Sequence, residues 1–128
     1  MGLARLMVIL QILVLAASGL AYFIWPQELA NVSGALLMTP AAVTDVRAWY
    51  GGLQLGLAAF LGLALSSPAL LRAALTLQVL LLSALVLARL GGLWLDGGAQ
   101  QTFNLTALLL EGVAAGLSFW ALRGLNRA

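Results

Sequence analysis

Residues 69–93 read ALLRAALTLQVLLLSALVLARLGGL, with Arg72 and Arg89 as the only charges. A run of about 20 mostly apolar residues is long enough to cross the hydrocarbon core of a bilayer as a helix. Working outward, three more runs satisfy the same criterion: Leu3–Trp25, Asp45–Leu65 and Phe103–Leu122. The expected fold is therefore an all-α membrane protein, a bundle of four transmembrane helices forming one integral domain over residues 1–128.

Composition agrees with that reading. Hydrophobic residues make up 63% of the chain, and 8% charged residues cannot furnish a soluble domain with a polar surface. Mean hydropathy is +1.07. The chain has no Lys, His or Cys. Disulfides are thereby excluded, along with the usual zinc, iron–sulfur and His-ligated haem sites and Schiff-base chemistry, so no metal and no cofactor is expected. The net charge of +2 comes from six Arg against four acids. No basic stretch resembles a nucleic-acid footprint, and the excess reads as loop asymmetry. Arg5, the apolar run behind it and Ala16-Ala17-Ser18-Gly19 resemble a signal sequence. The run from Leu6 to Trp25 is long enough to span, however, and is read as a retained helix.

The connections differ in character. Pro26 to Thr44 is long, with Pro26 and Pro40 as breakers and Glu28 in the first turn after Pro26. Gln27–Leu37 reads as a short helix at the interface between spans 1 and 2. Ser66-Ser67-Pro68 reads as a tight turn, with Pro68 suited to the start of span 3. Gly91-Gly92 and Asp96-Gly97-Gly98 bracket the last connection.

Arginines orient the spans. Arg5, Arg72, Arg123 and Arg127 fall on one side, Arg47 and Arg89 toward the other, which places both termini in the cytoplasm. Trp25, Trp49 and Trp94 mark the opposite boundary and Trp120 the cytoplasmic one; all four acids, Glu28, Asp45, Asp96 and Glu111, belong to the outer half.

Positions seven or eleven apart share a helix face. On that spacing Gln11, Ser18, Tyr22 and Trp25 align in span 1, and Arg47 and Gln54 in span 2 beside Tyr50 and Gly51. Gln78 and Arg89 align in span 3, and Asn104, Glu111 and Ser118 form a heptad series in span 4. Four stripes turned inward build a polar seam in layers: Tyr22, Arg47, Arg89 and Asn104 outermost, then Ser18, Gln54 and Glu111, with Gln11 and Gln78 deepest. Intramembrane charges are costly and face the protein interior, so Arg47, Gln54, Arg89 and Glu111 are expected to converge, with either arginine able to meet Glu111. Such a cluster reads equally as a ligand site or as Arg–carboxylate and amide bonding that fixes helix packing. Asp45 absorbs spare arginine charge or serves as the N-cap of span 2. Gly52/Gly56 and Gly112/Gly116 are small-xxx-small pairs, suited to close packing within the bundle or to a homo-oligomer.

The segment from Asp45 to Gly56, with Arg47-x-x-Tyr50-Gly51-Gly52 at its centre, Arg89-Leu-Gly91-Gly92, Asp96-Gly97 and Glu111 together resemble a family of short bacterial four-helix membrane proteins. It is domain-of-unknown-function family 4345, similar to the wider DoxX-like group. The resemblance covers nearly the whole chain, and Arg47, Gly51, Gly52, Arg89 and Glu111 stand at its signature positions. A Pro expected shortly after Asp96-Gly97 is replaced by Ala99-Gln100. The resemblance implies a fold and a place in the bacterial inner membrane, without a reaction.

Three functions compete. The first is binding of a membrane lipid or small amphiphile in an outward-facing pocket, in transport or as an accessory component. Its candidate ligand-binding residues are Tyr22, Arg47, Tyr50, Gln54, Arg89, Asn104 and Glu111. The second is a structural or assembly subunit. The third, less favoured, is an enzyme on an apolar substrate with Glu111 as acid–base group; no nucleophile, metal set or nucleotide motif supports it.

Overall fold

A computed structural model describes residues 2–97 and 101–127. The described residues are helical nearly throughout: α1 (Gly2–Ile24), α2 (Pro26–Val32), α3 (Pro40–Val46), a π-helical turn (Arg47–Gly52), α4 (Leu53–Ala64), α5 (Pro68–Asp96) and α6 (Thr102–Arg127). Three of them, α1, α5 and α6, are long and apolar enough to cross a membrane.

Local chemistry sets the boundaries. Ser67 caps α5 by accepting from the Leu70 N–H, with Pro68 in the first turn as its fixed φ favours. Thr39-Pro40 repeats the device, Thr39 Oγ1 accepting from the Ala42 N–H. Helix therefore begins at Pro40, five residues before the expected start of span 2, and Asp45 lies inside α3 rather than at its N-cap. Backbone helicity runs unbroken from Pro40 to Ala64, but at Arg47–Gly52 it widens, the Leu53 N–H bonding the Ala48 carbonyl five residues back. A short helix does follow span 1, with Pro26 and Glu28 in its first turn, and it ends at Val32 rather than Leu37. Beyond it Gly34 adopts φ +85. At the far end of α5, Gly91 and Gly92 stay helical, and the helix stops only at Gly97, whose φ of +53 suits a residue without Cβ. Gly98 of the expected turn and the Ala99-Gln100 departure lie outside the described residues.

The chain divides into two compact units. In one, the start of α1 through Val8 accompanies the chain from Ala64 onward. Here α5 and α6 run antiparallel, cross-linked by Arg72 to the Leu125 carbonyl, Gln78 to Ser118 and Arg89 to Glu111. Met7, Val8, Leu71, Ala74, Leu75, Ser118 and Ala121 are buried. Trp94 and Trp120 are exposed toward opposite ends of the helix pair. The other unit, residues 9–63, contains the rest of α1, the α2 connection and α3 through most of α4. In it α1 comes close to the π turn: a Cβ on Gly19 would lie 3.0 Å from the Gly51 carbonyl oxygen, and one on Gly51 3.2 Å from that of Gly19. A Cβ on Gly56, Gly112 or Gly116 would meet nothing within 4 Å, so those glycines make no such approach.

Apolar side chains cover the outside. Leu80, Leu87, Leu109 and Leu110 are 63–69% exposed. A helix surface of this kind is stable against lipid and aggregates in water.

Candidate functional site

The polar stripes of the sequence resolve into three groups. In the first unit, Arg89 on α5 meets Glu111 on α6 as a two-pronged fork, Nε donating to Oε2 at 2.7 Å and Nη2 to Oε1 at 3.0 Å. Arg89 Nη1 donates to Asn104 Oδ1 at 2.6 Å, and Asn104 Nδ2 donates to Gln101 Oε1 at 2.8 Å. Gln101 Nε2 continues the chain to the Gly97 carbonyl, and the Phe103 ring lies beneath the guanidinium. The heptad spacing of Asn104 and Glu111 is what lets one arginine reach both. The two side chains of the ion pair retain 22% and 17% of their exposure, and it is the only ion pair among the described residues. Paired charges with parallel hydrogen bonds are among the stronger polar contacts, and both Glu111 oxygens are taken up by this one.

Deeper in the same unit Gln78, only 3% exposed, donates from Nε2 to Ser118 Oγ at 2.9 Å and more weakly to the Met7 carbonyl at 3.4 Å. Its Oε1 is buried without a partner among the described residues. Ser118, the third member of the α6 series, thus serves Gln78.

In the second unit Tyr22 and Tyr50 stack with ring centroids 5.0 Å apart, tilted by 31°. Arg47, one turn back from Tyr50, donates from Nη1 to the Phe23 carbonyl and lies over the Phe23 ring. No carboxylate pairs with it among the described residues. Gln54 packs its Cβ near Gly19. Arg47 also lines an open depression of about 450 Å³ between α2 and the start of α3. Gln27, Thr39 and Thr44 give it further polar walls, and Leu37, Met38 and Val43 apolar ones.

Of the four residues expected to converge, Arg89 and Glu111 meet, with Asn104 beside them, while Arg47 and Gln54 belong to the second unit, where Tyr22 meets Tyr50. Gln101, the two phenylalanine rings, the Phe23 carbonyl and the Gln27–Thr44 wall were not anticipated. Thr39-Pro40 was readable as a capped helix start, by analogy with Ser67-Pro68. Nothing in the pattern signals a backbone carbonyl as a guanidinium's partner. Among the described residues no three His, Cys, Asp or Glu side chains gather as a metal site.

A family model described as a domain of unknown function, DUF4345, matches residues 3–122. The chain belongs to the DUF4345 family. The match takes in every residue of the three groups above. No curated protein and no solved structure matches the chain.

Proposed function

We propose that this DUF4345 member is an integral membrane protein of four spans, and that it binds the head group of an amphiphile beside Arg47. The fourth span is the path from Pro40 to Ala64, which at ~1.5 Å per residue is about 37 Å long, enough to cross a bilayer. In this arrangement α2 lies at the outer interface and both termini are cytoplasmic, in the bacterial inner membrane. The observation that carries the binding role is Arg47 itself. It has spare N–H groups, no acidic partner among the described residues, and a place in a depression with polar and apolar walls. Ligand sites combine apolar lining with a few placed polar groups in this way. Arg89, Asn104 and Glu111 then act as a latch between α5 and α6 rather than as ligand contacts.

A structural or assembly role is the second reading, favoured by the saturation of the Arg89–Glu111 fork. Acid–base work by Glu111 is disfavoured for the same reason. The test is the lipid retained by the protein purified in a neutral detergent, identified by mass spectrometry. Wild type is expected to carry lipid, and Val43→Trp, which fills the depression, is expected to lose it while keeping its melting behaviour. Equal retention by both would overturn the binding role.

A further inference from the structure

The last turns of α6 present two arginines on one face. Arg123 and Arg127 are four residues apart and so stand side by side on the helix, where like charges repel. Gly116, Phe119 and Trp120 share that face, which spans about 100° of the helix circumference. It is turned away from α5. Ser118, which bonds Gln78 across the α5–α6 contact, lies about 150° from its centre and is fully buried. Phe119 and Trp120 are 50% and 67% exposed, and both arginines are exposed. The Arg123 guanidinium lies over the Phe119 ring, 5.9 Å from its centroid, and is thereby drawn back toward the apolar stretch of the helix. Arg72 of α5 joins the same end, its Nη2 donating to the Leu125 carbonyl at 3.2 Å. No carboxylate balances these charges. The acidic side chains of this unit are Asp96 and Glu111. Glu111 is about 18 Å along α6 from Arg123, with both oxygens held by Arg89. None of Arg72, Arg123 and Arg127 forms an ion pair among the described residues.

A helix C-terminus favours a nearby cation, and Arg72 already serves one of its carbonyls. Two further guanidinium groups beside exposed rings are complementary to an anion from outside the chain. Aromatic rings settle at the head-group level of a bilayer, guanidinium forks hold phosphate oxygens, and basic residues near the membrane surface attract anionic lipid. Beyond the Arg47 reading, and in the other unit, we infer that this face of α6 holds an anionic phospholipid, its phosphate on Arg123 and Arg127. Phe119 and Trp120 flank the glycerol and the start of the tail. The tail runs on past Gly116, where a Cβ would meet nothing within 4 Å.

Trp120 is a reporter already in place. The full chain is put into lipid nanodiscs with Trp120 as its sole tryptophan, Trp25, Trp49 and Trp94 being replaced by Phe; these three are 54–85% exposed and tolerate the change. Quenching by phosphatidylglycerol or by phosphatidylcholine, each brominated near the glycerol end of its tails, gives the relative affinity of the face for the two lipids. Phosphatidylglycerol is expected to be favoured at least about fivefold, the scale of one basic residue at a membrane surface. Arg123→Gln with Arg127→Gln should bring the ratio close to one. A second version keeps Trp94 alone, two residues before Asp96 at the far end of the unit, and should show no preference. That comparison leaves both arginines in place, so it reads the site whether or not the double variant folds. A ratio near one at Trp120, the same ratio at both tryptophans, or a ratio that survives a folded Arg123→Gln/Arg127→Gln variant overturns the inference. So does weak quenching of Trp120 by both lipids, which would mean that a second copy of the chain covers this face. Lipid on so open a face exchanges with detergent, so the retained-lipid test of the Arg47 depression stands or falls separately.

Discussion

Arg47 and Arg89 carry the same charge into different company. Arg89 spends three nitrogens on Glu111 and Asn104, whereas Arg47 rests on a carbonyl and a ring. Replacing Arg89 by Ala strands the Glu111 carboxylate on a half-buried face. The expected loss is about 1–3 kcal/mol of stability, the penalty for an unsatisfied polar group, and less than a fully buried pair would show. Arg89→Met with Glu111→Leu should recover most of it, since apolar pairs replace such bridges at little cost. Thermal unfolding of the purified protein in detergent reads both. Gln78 is a different case, because its orphaned Oε1 offsets what its amide gains. Gln78→Leu with Ser118→Ala should stay within about 1 kcal/mol of wild type, given the modest worth of interhelical hydrogen bonds in membranes. A loss of several kcal/mol would mean that Oε1 has a partner of its own.

At the scale of the element, the π turn is the feature a periodic reading passes over. Hydropathy and stripe spacing assume 3.6 residues per turn, and they located α1, α5 and α6 to within a few residues of their ends. They placed the helical path from Pro40 to Ala64 less well, because its start is set by Thr39 Oγ1 and its middle departs from the α period at Arg47–Gly52. The α6 series of Asn104, Glu111 and Ser118 was legible because that helix keeps its period throughout. Within the chain the small-residue pairs do not mark the close approach, for a related reason: glycine spacing marks where close approach is permitted, not where a partner sits. Gly19 and Gly51, which do approach, belong to no four-residue pair. Gly19→Ala and Gly51→Ala are each expected to cost about 1–3 kcal/mol by overpacking against backbone. Gly112→Ala and Gly116→Ala should be neutral or gain about 0.5–1 kcal/mol from helix propensity, unless these faces meet another molecule. Melting temperatures of the four variants decide between the pairs.

Across the whole molecule, the proposed arrangement of four spans with cytoplasmic termini would put the α2–α3 connection and the end of α5 on the outer side. The absence of native cysteines makes single-cysteine labelling clean. Leu36→Cys and Asp96→Cys are expected to react with an impermeant reagent from outside intact cells, and Ser66→Cys only after permeabilisation. Labelling of Leu36→Cys and Ser66→Cys from the same side would remove Pro40–Ala64 as a span.

The division of labour between the two arginines is open to a direct test. It is the affinity for oleate, measured by native mass spectrometry, of Arg89→Met/Glu111→Leu beside that of Arg47→Gln. The double variant should match wild type within about twofold, as independent sites do, while Arg47→Gln loses at least about tenfold. Equal loss in both, or loss confined to the Arg89–Glu111 variant, would place the ligand at the fork between α5 and α6 and contradict the assignment to Arg47.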